Sequence, residues 1–200
     1  MLLHTLPVGP GAANCYILGN PDSLDRVVID PGGDPEKIRE ALGEGRVTAI
    51  LLTHGHFDHM GAVDALAEAE TKVYAHAKDI PLLTDGEKNV STPMLGRAIT
   101  VDHAVIPVED GQTVEAAGMR FTALHTPGHT PGGLCWQLGE DLFTGDTLFY
   151  HSFGRIDFYG GSGIAMRRSL QRLLALPGRL RVYPGHEQAT TIAAEQEYFR

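Results

Sequence analysis

Thr53-His54-Gly55-His56-Phe57-Asp58-His59 is the stretch that decides how this chain folds. The apolar run Val47-Thr48-Ala49-Ile50-Leu51-Leu52 stands directly before it and reads as a buried strand. Three histidines and an aspartate therefore fall where a strand ends. Residues two apart on an extended backbone share a side, so His54 and His56 face the same way. Asp58 and His59 follow once the chain has turned, and they can face the same point from another direction. Such a cluster can hold one metal ion, or parts of two. Imidazole and carboxylate donors suit zinc, and also iron or manganese. The bland alternative is a solvated loop rich in histidine. Strand context and partners further along the chain argue against it.

The rest of the composition sets bounds. A length of 200 residues suffices for one domain with a sizeable core. Apolar residues make up 42% of the chain, but no run is long enough to span a membrane. Met1–Pro7 has neither the basic region nor the apolar core of a secretory leader. The formal net charge of -9 argues against a nucleic-acid partner, and metal-bound carboxylates would make the loaded protein less negative. Cys15 and Cys135 sit among apolar neighbours and read as buried thiols of a cytoplasmic protein.

Outward from the histidine cluster, strands are expected at both ends of residues 1–18, at 26–30, 72–76, 99–108, 112–116, 119–125, 134–138, 141–146 and 180–184. The 99–108 and 112–116 strands would flank a turn at Asp110-Gly111. Asp34 has the position of an N-cap, with Pro35 opening a helix to about Leu42. Residues 61–69 read as a helix with apolar positions 62, 63, 66 and 69 on one face. Residues 164–175 read as another, with Ile164, Leu170, Leu173 and Leu174 as its main apolar residues. Thr190 or Thr191 opens a last helix. Residues 77–97 show no clear period beyond a short helical piece near 78–83, and a loop that long in a compact domain is often functional. Each half repeats the same coarse order, which implies two packed sheets with helices outside.

Three further candidate donors share the setting of the first cluster. His129, Asp146 and His186 each follow an apolar strand and a glycine-containing turn. With His54, His56, Asp58 and His59 they make seven candidate ligands on one sheet edge. Seven exceeds what one tetrahedral zinc takes and suits two metals sharing a carboxylate.

The sequence Thr-x-His-x-His-x-Asp-His, followed by Thr-Pro-Gly-His-Thr-Pro-Gly, Gly-Asp-Thr-Leu-Phe and Pro-Gly-His, resembles the metallo-β-lactamase-fold hydrolases. Within them it is most similar to the short glyoxalase II-like (hydroxyacylglutathione hydrolase-like) enzymes. The resemblance spans nearly the whole chain and implies an α/β fold, a four-layer αβ/βα sandwich over residues 1–200 as a single domain. It assigns His54, His56 and His129 to one metal, Asp58, His59 and His186 to a second, and Asp146 to both. Two divalent metal ions are implied, zinc first, with iron or manganese as alternatives. The implied reaction is attack of a metal-bridging hydroxide on a small thioester of the S-lactoylglutathione type, with Asp58 orienting the nucleophile.

The chain departs from classical glyoxalase II. It ends at Arg200, so the C-terminal helical domain that helps hold glutathione is expected to be absent and the site to be more open. Gly154-Arg155-Ile156-Asp157 stands where the classical enzyme has a lysine-bearing loop. Arg155 could pair with a substrate carboxylate, or with Asp157 to hold its own loop. Tyr150 and His151 lie in the same segment and are further candidates for substrate binding. His4, His76, His103 and His125 read as structural or solvated. Glu187 is expected to face solvent or support a helix start. Two other functions compete. A mononuclear-iron persulfide dioxygenase would use His54, His129 and Asp146. A non-catalytic metal-binding module would turn over no thioester. A β-lactamase proper fits less well, because many lack a histidine after the motif aspartate. The oligomeric state is not legible in the sequence.

Overall fold

Strands that are apolar without a break bury both faces and send alternate residues to different layers. A computed structural model, which describes all 200 residues, shows this sorting directly. One six-stranded sheet has the order β1 (Leu2–Val8), β2 (Ala13–Gly19), β3 (Asp25–Ile29), β4 (Arg46–Leu51), β5 (Lys72–His76), β6 (Val105–Val108). The other runs from β7 (Thr113–Ala116) through β8 (Met119–His125), β9 (Leu134–Leu138), β10 (Asp141–Gly145) and β11 (Arg181–Pro184) to β12 (Thr190–Thr191). The helices are α1 (Pro35–Leu42), α2 (Phe57–Met60), α3 (Val63–Leu66), α4 (Ile80–Leu83), α5 (Ser91–Leu95), α6 (Gly163–Leu174) and α7 (Ile192–Tyr198).

Between the sheets, Leu18, Ile29, Leu51, Phe121, Trp136 and Phe143 form the central core. The alternate residues Ile17, Val28 and Ile50 point to the outer face of the first sheet, where Ile38 of α1 and Val63 of α3 cover them. On the second sheet Cys135, Leu142 and Val182 meet Leu173 of α6 and Ile192 of α7. The result is the four-layer sandwich expected. Each large side chain in these layers contributes about 1.5–3 kcal/mol by leaving water. Cys15 and Cys135 are both buried and unpaired.

Strand direction gathers the site. β3, β4, β5 and β6 are parallel, so Asp30 and Thr53 emerge at one edge. β8 and β10 are each antiparallel to β9, and β10 is parallel to β11, so their C-terminal ends also share an edge. The two edges are tied together. Leu134 N donates to Thr53 O at 2.7 Å, and the buried Trp136 indole donates to Leu52 O at 3.0 Å. The Tyr16 hydroxyl donates to Pro184 O at 2.6 Å.

Four local expectations are corrected. Asp34 precedes α1 but caps no helix N–H; it adopts a left-handed conformation, and its carboxylate accepts from Gly9 N at 2.9 Å. Of the helix expected over 61–69 only the one-turn α3 forms, with α2 ending just before it. Ala62 N donates to Pro31 O at 2.9 Å instead of up its own helix, and Ala67 leaves in an extended conformation. Residues 99–104 are not a strand, and β6 and β7 lie in different sheets, so Asp110-Gly111 belongs to the crossover between sheets. On α6, Ile164 is 72% exposed while Met166 is buried, because the helix turns Met166 and Leu173 inward.

Candidate metal centre

The seven donors named from the sequence converge, and the chain itself sets the direction of three imidazoles. Thr53 donates its hydroxyl hydrogen to Asp30 Oδ2 at 2.6 Å, so its oxygen accepts from His54 Nδ1 at 3.1 Å. His54 Nε2 is left with its lone pair, buried and without a partner. His129 Nδ1 donates to the Arg155 carbonyl at 2.6 Å, which aims its Nε2 inward. His59 Nδ1 donates to Asp30 Oδ2 at 2.9 Å. Its Nε2 then stands 3.4 Å from both Asp146 Oδ1 and His186 Nε2. A hydrogen bond on one ring nitrogen that orients the other toward a common point is the usual arrangement of metal-ligating histidines.

Two triads have donor atoms that all lie within 4.8 Å of one another and could each hold an ion: His54, His56 and His129, and Asp58, His59 and His186. Asp30, His54 and His59 meet the same criterion. The Asp30 carboxylate, however, is committed to Thr53 and His59, so it orients rather than ligates. His56 Nδ1 lies 2.8 Å from His129 Nε2. Asp146 stands between the triads, its Oδ2 3.3 Å from His129 Nε2 and 3.7 Å from His186 Nε2. Asp58 Oδ2 is 3.5 Å from His186 Nε2.

The residues fit divalent cations on an observation independent of motif. His54 Nε2, His56 Nε2 and Asp146 Oδ1 are buried atoms with no hydrogen-bond partner. Each such atom costs about 1–3 kcal/mol if left unmet. All three belong to residues of, or between, the two donor triads, where a cation would supply the missing partner. Burial, reinforced by the neighbouring histidines, pushes His54 well down and His56 to about 3, so both rings stay neutral and free to ligate. For His59 burial pulls down, but Asp146, Asp58 and Asp30 outweigh it and push the ring up to about 10. Burial would raise Asp58, yet His59 and His186 hold its carboxyl well below the ordinary range. Glycine is required at 185, where a Cβ would overlap Asp146 Oδ1 and lie 2.7 Å from His59 Cε1.

Two buried carboxylates belong to the site and were not among the expected residues. Asp30 ends β3 just as His54 follows β4, so the strand-end signal applied to it as well. Asp79 carried no such signal. It is fully buried and accepts from Gly55 N at 2.9 Å, Thr130 Oγ1 at 2.7 Å and Gly132 N at 2.6 Å. It thereby ties the loop of His54 and His56 to the loop of His129. Burial raises its pKa against these hydrogen bonds.

The triads open onto a cavity of about 540 Å³. Asp58, His56, His129, Asp146 and His186 reach it, with Val90, Met94 and Leu95 from the 77–97 segment and Phe149, Arg155 and Phe158 from the 149–158 loop. Arg155 is therefore at the site, but its guanidinium is bidentate to Asp157, 2.7 Å at each contact, and lies 3.9 Å from the centre of the Phe158 ring. Tyr150 and His151 are placed elsewhere. The chain doubles back as Phe149 N bonds Ser152 O at 2.9 Å, which leaves Phe149 facing the cavity. His151 N then donates to Glu195 Oε2 at 2.9 Å, and its ring lies 4.3 Å from that of Tyr198. Tyr150 borders a separate groove beside Tyr183 and Thr190. Glu187 is exposed, as expected.

Among known families, residues 8–186 match the Metallo-beta-lactamase superfamily. The chain belongs to that superfamily. Among superfamily members, the probable metallo-hydrolase YqgX of Bacillus subtilis is 36% identical over 203 residues, covering 98% of this chain and 95% of YqgX. The BLEG-1 B3 metallo-beta-lactamase superposes with a TM-score of 0.91 at 37% identity, covering 98% of this chain and 97% of that one. TTHA1623, solved in a di-iron-bound form, superposes with a TM-score of 0.85 at 38% identity over 99% and 98% of the two chains. The superfamily placement, the fold and kinship with metallo-hydrolases are thereby shown. The di-iron form leaves the metal open between iron and zinc. No helix is long and apolar enough to cross a membrane.

Proposed function

We propose that the protein is a cytoplasmic, metal-dependent hydrolase of small thioesters, glyoxalase II-like in its chemistry, formed by residues 1–200 as one domain. The observation that carries this reading is the pair of donor triads on either side of Asp146, opening on a cavity with apolar walls. His54, His56 and His129 would hold one cation and Asp58, His59 and His186 a second, with Asp146 available to both. When bound, such cations polarise a carbonyl and acidify water enough to attack near neutral pH. The chain does the rest. Thr53, Asp30 and the Arg155 carbonyl fix ring orientation. Asp58, held ionised, accepts a hydrogen bond from the attacking water and sets its direction. Water adds to the thioester carbonyl, the C–S bond breaks, and the products are a carboxylic acid and a thiol. The sulfur departs as a stable thiolate, so no strong acid is needed beside it.

The test is metal analysis of the purified protein paired with turnover of S-lactoylglutathione, nitrocefin and glutathione persulfide. Two metals per chain with thioester cleavage support the proposal. Faster cleavage of nitrocefin would give the site to β-lactams, in line with the likeness to BLEG-1. One iron with oxygen uptake would make it a persulfide dioxygenase using His54, His129 and Asp146. Full metal loading without turnover of these or of any neutral thioester would leave a metal-binding module.

A further inference from the structure

Resting on the thioester reading, we infer that the thioester this site takes is apolar and uncharged beside the sulfur, and that the anionic glutathione carrier is a poor fit. Three observations carry it.

The first is the charge of the cavity wall. Arg155 is the one cationic side chain that lines it apart from the histidines, and Asp157 takes the Nε–Nη2 edge of its fork and balances its charge. The opposite face of the guanidinium plane lies along Phe158. A carboxylate on the carrier meets only the outer Nη1 edge of a guanidinium whose charge Asp157 already balances, so the wall offers it no uncompensated cation.

The second is the apolar wall facing it. Val90, Met94 and Leu95 come from one segment, and Met94 is 62% exposed although it is a large apolar residue. An exposed methionine at the mouth of a cavity is a flexible surface for an alkyl chain.

The third is how that wall is held. Val90 sits in the left-handed region at φ 70°, which is strained for a β-branched residue. Its neighbours enforce the conformation. Asn89 Nδ2 donates to Leu82 O and Ile99 O, both at 2.8 Å, and Ser91 Oγ donates to Asn89 Oδ1 at 2.6 Å. Phe57 N donates to Asn89 O at 3.1 Å, which couples the wall to α2, the helix carrying Asp58. Strain maintained by so many polar contacts, and spent on turning Val90 into the cavity, marks a built binding surface.

The experiment uses the zinc-loaded protein and two carriers. The kcat/KM is measured for acetyl, butanoyl, hexanoyl and octanoyl thioesters of N-acetylcysteamine, which is neutral, and for S-lactoylglutathione. The value should rise by up to about fourfold per methylene while the chain stays in contact with the wall. The hexanoyl compound should exceed S-lactoylglutathione at least tenfold. Met94→Lys and Asp157→Asn should each move that ratio toward S-lactoylglutathione, the first by adding a cation and the second by freeing Arg155. A flat chain-length series, or preference of the unmodified protein for S-lactoylglutathione, overturns the inference. Should no thioester turn over, the hydrolase reading fails, and calorimetry still tests the cavity. S-hexyl-N-acetylcysteamine binding more tightly than S-hexylglutathione supports the inference; equal or reversed affinity sinks it.

Discussion

The two donor triads are built from similar residues in different surroundings. His54, His56 and His129 are three buried imidazoles, aligned by a hydroxyl and a carbonyl. Asp58, His59 and His186 include a carboxylate and rest on another, Asp30, and the His186 side chain is 25% exposed. The first triad is a preformed cradle in which burial keeps His54 and His56 free of the competing proton. The second holds charge balance within itself, with His59 among three carboxylates, and its Asp58 and His186 are less buried than any ring of the first. The difference teaches that one fold edge can supply a rigid site and an accessible one by changing only what stands behind each ring.

Asp146→Ala should produce the largest effect, since Asp146 touches both triads. Metal content should fall at both positions, and kcat/KM should drop by about three orders of magnitude or more, the scale of a lost Lewis-acid centre. Two retained metals with normal turnover would show that the triads need no shared ligand. Asp30→Asn comes next. His59 loses the anion directly behind it, whereas His54 is affected only through Thr53, so metal affinity should weaken about 10–100-fold, more at the second triad than at the first. Equal losses at both positions in a competitive chelator titration would break the comparison.

Asp79→Asn sharpens it from the other side. An amide cannot accept all three hydrogen bonds from Gly55, Thr130 and Gly132, so thermal or denaturant melts should show a loss of about 1–3 kcal/mol. Weaker metal binding should follow at the first triad, since the displaced loops carry His54, His56 and His129. Arg155→Ala should be the mildest. The carbonyl that orients His129 is backbone and survives, and the pair with Asp157 is solvent-exposed and adds little to stability. Neutral thioesters should lose no more than a few-fold in kcat/KM; a loss comparable to that of Asp30→Asn would make the guanidinium part of the chemistry.

Why some of this was legible in sequence and some not follows from the range of each interaction. His54, His56, Asp58 and His59 announce themselves because donor type and spacing are local properties. His129, Asp146 and His186 are legible because each follows an apolar strand and a glycine turn. Asp30 also stands at the end of an apolar strand, but with no glycine turn before it, and beside a more crowded cluster. Asp79 follows a strand without such a turn, and its role depends on loops 24 and 51–53 residues away. Tyr150 and His151 were misplaced because proximity in sequence to Arg155 says nothing once Phe149–Ser152 reverses the chain. Helix α3 is short because Pro31, distant in sequence, takes the Ala62 N–H.

Taken alone, the order of residues determined which side chains carry donors, where the strands run and that alternate strand residues serve different layers. Those properties need only the two-residue repeat of extended backbone and the chemistry of imidazole and carboxylate. Only the tertiary structure decided which nitrogen of each histidine faces the centre, which buried acids stand behind them and what walls the cavity. These depend on hydrogen bonds between strand ends far apart in the chain, and no local pattern records such pairings.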